Sequence, residues 1–275
     1  MDEQTQKFLT TIAENVPKVK QQGYNEGFEA GKEKEWSDFW DNMQDNGNRV
    51  DYNYAFCSSG FTKTTFRPKY NINVSAGERM FYQFNFLNEA FDLEEHLEKL
   101  GATLDFSNNE KFYMCFANAY ITRLGIIDFS KATKYNNNSA FHNSSIATID
   151  KLVFSENTIL ASLFNNATAL KNIKEVEGVI GTSVSFSTSP LTVESMKSII
   201  THLKNCTGLT DTSGNSLEMK YTLTLKDSCR TELETASFTD EDKRVLEENG
   251  IVFADETTWT SVIGDLKWNL VWATS

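Results

Sequence analysis

A chain of 275 residues, 40% hydrophobic and 23% charged, is long enough to bury a full core and too apolar to stay unfolded. Its 38 acidic residues against 26 Lys and Arg give a net charge of −12. That balance excludes nucleic acid and anionic membrane surfaces as partners, since both require clustered cations.

Residues 3–43 have helical periodicity. Leu9, Ile12, Val16 and Val19 form one apolar seam. Gly23, Gly27 and Gly31 then recur every fourth residue, which suits either close approach of a second helix or a hinge. Trp36, Phe39, Trp40 and Met43 make a second apolar face, and Gly47 is a candidate C-terminal cap. Residues 1–48 are therefore an N-terminal helical segment, a candidate tether and homo-oligomerisation element. The polar start Met1-Asp2-Glu3-Gln4 is unlike a secretory leader, so synthesis in the cytoplasm without a signal peptide is expected. No run approaches the roughly 18 apolar residues of a membrane span. Cys57, Cys115, Cys206 and Cys229 lack Cys-x-x-Cys spacing and read as free apolar thiols.

Tyr52, Tyr54 and Phe56 alternate with polar residues, as in a half-buried strand. Phe66, Tyr70, Ile72 and Val74 continue in extended fashion past Pro68. These aromatics suit a cap over an open end of a repeat array; a row of rings that binds sugars is the other reading.

A short phrase then returns four times: Leu104-Asp-Phe-Ser107, Ile127-Asp-Phe-Ser130, Leu152-Val-Phe-Ser155 and Val184-Ser-Phe-Ser187. Its Phe residues stand 23, 25 and 32 positions apart. The first two gaps fall within the roughly 20–29 residues of leucine-rich repeats. Phe116, Ile121, Leu124, Ile127 and Phe129 share their relative offsets with Phe141, Ile146, Ile149, Leu152 and Phe154. Stacked copies would bury the outer two apolar residues of each phrase. Asp105, Asp128, Val153 and Ser185 would then form one column on the exposed sheet face, the candidate binding surface. Ser107, Ser130, Ser155 and Ser187 would satisfy backbone groups where each copy bends away. Ala119, Ser144 and Ala167 each follow a repeat Phe by three residues and predict close packing of the connecting arms.

After Pro190, Thr192 is expected to cap a helix bearing Met196, Ile199, Ile200 and Leu203. Tyr221–Leu225 reads as a strand added to the end of the repeat sheet. Thr239 and Asp242 predict a capped helix that stops at Gly250. Ile251–Phe253 and the alternating Leu266, Trp268, Leu270 and Trp272 read as two further strands. The expected organisation is thus an α/β (α+β) array: residues 1–48, a capped solenoid over 49–190, and an α/β C-terminal cap over 191–275.

The unit Phe116-x-x-Ala119-x-Ile121-x-x-Leu124-x-x-Ile127-x-Phe129 resembles the BspA-type (treponemal) leucine-rich repeat. A third copy, Phe164-x-x-Ala167-x-x-Leu170-x-x-Ile173, fits that family's spacing directly. The flanking Gly23-Tyr-Asn-Glu-Gly27, Asp45-Asn-Gly-Asn-Arg49 and Leu191-Thr-Val-Glu-Ser195 are similar to segments of repeat proteins encoded by Firmicute phages and prophages. The resemblance implies a short leucine-rich-repeat solenoid and a non-enzymatic recognition role in a phage tail or prophage particle. A bacterial adhesin or scaffold of the same fold is the alternative, with the cell surface as its location. The expected partner is a protein or a cell-surface glycan.

Little in the chain suggests catalysis. His96, His142 and His202 are far apart, and no His-Glu-x-x-His, Gly-x-Ser-x-Gly or phosphate-binding loop occurs. Asp105 and Asp128 on adjacent copies would stand about 4.8 Å apart, near the spacing of a retaining glycosidase pair. A flat sheet face, however, offers no water-excluding pocket, and two carboxylates make a poor calcium site. No catalytic residue, cofactor or metal is therefore expected, with a carbohydrate-active enzyme as the remote alternative.

Overall fold

The computed structural model describes residues 50–57, 66–68, 71–84, 91–134, 137–160, 162–210, 213–214 and 219–274. The expected N-terminal helix and its glycine-spaced face lie outside them, as does Tyr70. The fold is mixed α/β, with three parallel sheets and five α-helices among the described residues. Strands β1 (Val50–Asp51), β2 (Ile72–Ala76) and β4 (Leu104–Asp105) form the first sheet, in the order β1-β2-β4. The second contains β3 (Phe91–Asp92), β5 (Ile121–Asp128), β6 (Thr148–Phe154) and β7 (Asn172–Gly178), in that order. The third is β8 (Val184–Phe186), β9 (Tyr221–Lys226) and β10 (Trp268–Ala273), with β9 central.

Pairing between neighbouring segments continues where the strands stop. The turns over residues 52–57, 78–84, 112–118 and 138–143 are hydrogen-bonded to one another in series, through every second residue. Tyr54 and Phe56 N–H donate to the Glu78 and Met80 carbonyls, at 2.9 Å each. Arg79, Phe81 and Gln83 donate to Tyr113, Cys115 and Ala117, and Met114, Phe116 and Asn118 donate to Asn138, Ala140 and His142. Each turn and the strand after it thus make one tier, whose alternate backbone donors are satisfied by the next tier while those between bond within the turn.

Left-handed residues at fixed positions bend the chain. Tyr54, Arg79, Met114, Ser139 and Ser162 have φ between 51° and 61°. Gln83, Asn118, Asn143 and Asn166 hold a second such position, with φ of 53–55°. Asparagine tolerates this conformation better than most residues. Here its amides also link tiers: Asn143 Nδ2 donates to Asn118 Oδ1 at 3.0 Å, and Asn166 Nδ2 to Asn143 Oδ1 at 3.3 Å.

A column of phenylalanine rings runs inside these turns. Centroids are 5.5 Å apart for Phe81–Phe116, 5.7 Å for Phe116–Phe141 and 5.1 Å for Phe141–Phe164, with interplanar angles of 7° or less. All ten positions of the two matched sequence copies are at most 3% exposed. Burying each ring contributes about 1.5–3 kcal/mol, and each aromatic pair about 0.5–1.5 kcal/mol more. Ala119, Ser144 and Ala167 are buried, and each donates its N–H back to the carbonyl of its repeat Phe. A larger side chain there would push neighbouring turns apart.

Each of β5, β6 and β7 has a buried apolar pair three residues apart: Leu124 and Ile127, Ile149 and Leu152, Ile173 and Val176. Two consecutive residues face outward between each pair, so the strands turn a corner rather than alternating strictly. The register stacks Leu124, Ile149 and Ile173, and likewise Ile127, Leu152 and Val176.

The fourth sequence phrase does not continue the first three. Phe154 pairs with Gly178, where a Cβ would lie 1.9 Å from the Phe154 carbonyl oxygen and φ is +83°. Phe186 instead stacks on Phe164 at 4.5 Å and so extends the turn column. Ser189 follows it as Ala167 follows Phe164, donating its N–H to the Phe186 carbonyl at 3.0 Å. An apolar-x-Phe triplet looks the same in either column, and only the neighbouring tier distinguishes them.

The next tier carries α2 (Val193–Thr201), capped as expected by Thr192. This helix seals the edge of β7. Ser195 Oγ accepts from the Ile173 N–H at 2.8 Å, and Ser198 Oγ from the Val176 N–H at 3.1 Å. Tyr221–Leu225 pairs, as expected, with the strand of the last phrase, but β8 belongs to a third sheet, so β9 lies between β8 and β10 and does not extend the sheet of β5–β7.

Three helices were not expected from sequence: α1 (Leu93–Leu100), α3 (Arg230–Glu234) and α5 (Trp259–Asp265). Asp92 caps α1 by accepting from the Glu95 N–H at 2.8 Å, and left-handed Gly101 ends it. Thr258 and Ser261 form a reciprocal capping box on α5. Helix α4 (Asp240–Glu248) has the anticipated box between Thr239 and Asp242. Residues 251–253 are not a strand, and Leu266 caps α5 rather than opening β10. One contiguous core runs from Tyr52 to Trp268.

Phe141→Ala, which opens a gap in the middle of the ring column, is expected to cost about 3–5 kcal/mol in denaturant unfolding. Ser195→Ala with Ser198→Ala leaves two edge donors of β7 unpaired, at about 1–3 kcal/mol each. Hydrogen exchange should then accelerate at the Ile173 and Val176 amides while those of Ile149 and Leu152 stay protected.

Candidate functional site

The outward face of β5–β7 holds the surface singled out from the sequence. Its corner residues Ile126, Lys151 and Glu175 lie in register, as do Asp128, Val153 and Glu177. The four proposed column residues are distributed differently from the expectation. Asp128 and Val153 are neighbours, Asp105 pairs with Asn73, and Ser185 pairs with Thr224. The column thus continues to Glu177, and Ser185 belongs to the third sheet. Sequence reasoning missed Glu177 because the Val176-Glu-Gly178 triplet lacks the aromatic that marked the other copies.

Asp105 and Asp128 have local hydrogen bonds. Asp105 Oδ1 accepts from the Ser107 N–H and Asp128 Oδ1 from the Ser130 N–H, both at 2.8 Å. Ser185 Oγ accepts from the Ser187 N–H at 3.4 Å. In each case a short polar side chain closes the turn two residues on. Of the strand-end serines, Ser155 Oγ donates to the Ser130 carbonyl of the preceding tier at 3.0 Å.

Cross-tier ion pairs cover the rest of the face. Arg123 binds Asp150 with a two-pronged contact, Nε at 3.1 Å from both oxygens and Nη2 at 2.5 Å from Oδ2. Lys174 Nζ is 2.6 Å from Asp150 Oδ1. Lys151 is held between Glu175, at 2.8 Å, and Glu177. Hydrogen bonds to these two glutamates push its pKa up to about 12. Along one side, α1 lies on β5 and places the Glu94 carboxylate against Gly125, where a Cβ would meet Glu94 Oε2 at 2.2 Å. A side chain there would require the Glu94 carboxylate to move aside.

The environment separates two of these carboxylates. Burial raises Asp150, and hydrogen bonds from Arg123 and Lys174 more than offset it, so its pKa falls below the ordinary value. Burial raises Glu94, and the nearby Asp150, Glu98 and Asp92 charges add to the rise against Arg123.

The histidines are dispersed in the structure too. The His96 ring meets the Phe66 carbonyl, His142 the Asn165 carbonyl at 3.2 Å and His202 the Ser198 carbonyl at 2.7 Å. Among the described residues, no three His, Cys, Asp or Glu side chains are grouped to hold a metal ion. No helix among them is long and apolar enough to cross a membrane. All four cysteines are free thiols, and burial raises the pKa of Cys115, Cys206 and Cys229. No known family model, curated protein or solved structure matches the chain.

Because the Asp150 pKa is lower in the folded state, its stabilisation is present above the ordinary carboxylate range and lost as pH falls through the folded value. Asp150→Asn should therefore lower the unfolding midpoint at pH 7, and the gap from the parent chain should close on acidification. Glu94→Gln should behave in the opposite sense. A raised pKa means that ionised Glu94 opposes folding, so the variant gains stability at pH 7 and loses that advantage in acid.

Proposed function

We propose that the stacked tiers form a short BspA-like leucine-rich-repeat solenoid and that the protein is a non-enzymatic recognition module. Its outward β5–β7 face would contact a protein or a cell-surface glycan. The observation that supports this most is the register of that face, which sets Ile126, Lys151 and Glu175 beside Asp128, Val153 and Glu177 as two straight rows. Such rows suit an extended partner, and repeat arrays use their continuous sheet surface in this way. Ile126, 57% exposed, is an apolar contact point at the β5 end of its row, next to the Lys151 ion pairs. The resemblance of the flanking segments to phage and prophage repeat proteins supports a place in a tail or particle, with the N-terminal segment as the tether. Asp128 Oδ1 closes the turn at the end of this face, and Asp105 does the same in the first sheet, outside it.

Two measurements test this reading. The fluorescently labelled full chain should bind intact Firmicute cells in flow cytometry, and Ile126→Lys with Val153→Lys should abolish the signal without moving the unfolding midpoint. Undiminished labelling by the double variant would rule out the face. Light scattering of the full chain should give a trimer or larger assembly if residues 1–48 are an assembly stalk; a monomeric mass removes that role.

A further inference from the structure

The aromatic row at Tyr52, Tyr54 and Phe56 separates in the fold. Tyr52 and Phe56 are 7% and 1% exposed, whereas Tyr54 points outward and is 46% exposed. The outward ring belongs to a cluster built from three successive tiers. The Arg79 guanidinium carbon lies 5.4 Å from the Tyr54 ring centroid, 5.9 Å from Tyr82 and 5.2 Å from Tyr113. Arg79 Nη1 donates to the Tyr54 hydroxyl at 3.1 Å, and that hydroxyl donates to Glu78 Oε1 at 3.3 Å.

The backbone does not require these residues. Tyr54 and Arg79 occupy the left-handed turn position that Ser139 and Ser162 occupy further along the same column. Bulky side chains are disfavoured in that conformation, yet the first three tiers place Tyr54, Arg79 and Met114 there where the later two have serine. Strain of this kind, kept where the architecture accepts an alternative, points to a site. The rings are also preorganised: cation–π contacts and hydroxyl hydrogen bonds hold them before any ligand arrives, which reduces the entropy lost on binding.

We propose that Tyr54, Tyr82 and Tyr113, with Arg79 and Glu78, form a saccharide-binding subsite on the turn surface of the first tiers. The outer ring faces would receive the apolar C–H face of a hexose or N-acetylhexosamine, while the tyrosine hydroxyls, the guanidinium and the Glu78 carboxylate hydrogen-bond its polar groups. A net charge of −12 repels polyanions, so neutral sugars are the class selected. The subsite lies apart from the β5–β7 face and does not depend on the recognition role assigned to it.

Titration of the full chain with chitotetraose, cellotetraose and maltotetraose, followed by tyrosine fluorescence and calorimetry, tests the subsite. At least one sugar should bind saturably. Tyr54→Ser and Arg79→Ser, which install the residue found in the later tiers, should each weaken that binding by about tenfold or more. Sugar affinity is read apart from cell labelling, and a Glu241→Gln control on the exposed surface of α4 should bind the sugar as the parent chain does, so failure of this site is separable from failure of the sheet face. The proposal is overturned if none of the three sugars binds. It is equally overturned if Tyr54→Ser lowers the unfolding midpoint yet leaves sugar affinity unchanged, because the cluster is then only a staple between tiers.

Discussion

Parallel backbone hydrogen bonding between successive tiers, carried through turns as well as strands, is the constraint on which the rest of this structure depends. Once the Arg79, Phe81 and Gln83 donors must meet the Tyr113, Cys115 and Ala117 carbonyls, the tiers have a single relative register. That register puts Phe81, Phe116, Phe141 and Phe164 above one another and brings the turn asparagines within reach of each other. No tier buries its own aromatic face or satisfies its own donors alone, so the order is cooperative between neighbours.

A stack built this way leaves the last strand with unpaired donors, and the chain deals with one such edge explicitly. Ser195 and Ser198, one helical turn apart in α2, stand opposite the Ile173 and Val176 amides and accept from both. A helix thereby substitutes for a strand without orphaning the edge, a hazard that sheet proteins must manage. Beyond it the third sheet starts afresh, covered by α5. The Lys197 ammonium lies 5.6 Å from the Trp259 ring and 3.8 Å from Asp242, which ties α2 to both α5 and α4.

The same register orders the charges. Arg123, Asp150 and Lys174 come from three different strands, and only the parallel pairing makes them a continuous ion-pair chain. These contacts are partly exposed, so each pair adds little to stability by itself. Their effect is to fix long side chains on a face where Ile126 and Val153 remain available. The turn surface carries different chemistry, aromatic rings around Arg79, because it follows from the left-handed positions rather than from the strand corners.

The sequence by itself determined which residues enter the core. The shared offsets of Phe116, Ile121, Leu124, Ile127 and Phe129 with Phe141, Ile146, Ile149, Leu152 and Phe154 identified buried positions correctly, because hydrophobic burial follows periodicity that a linear chain displays. Thr192 and Thr239 were equally readable as caps, since a cap and its acceptor lie within one helical turn. The signals for α1 and α5 were present in Asp92, Gly101, Thr258 and Ser261, but helices of eight and seven residues did not stand out from the repeat pattern. Tertiary structure alone decided that Phe186 stacks on Phe164, that Glu177 follows Val153, and that Tyr54 meets an arginine from the next tier. Each of these joins residues about 20 or more positions apart, and their register is set by hydrogen bonds between tiers that no local pattern encodes.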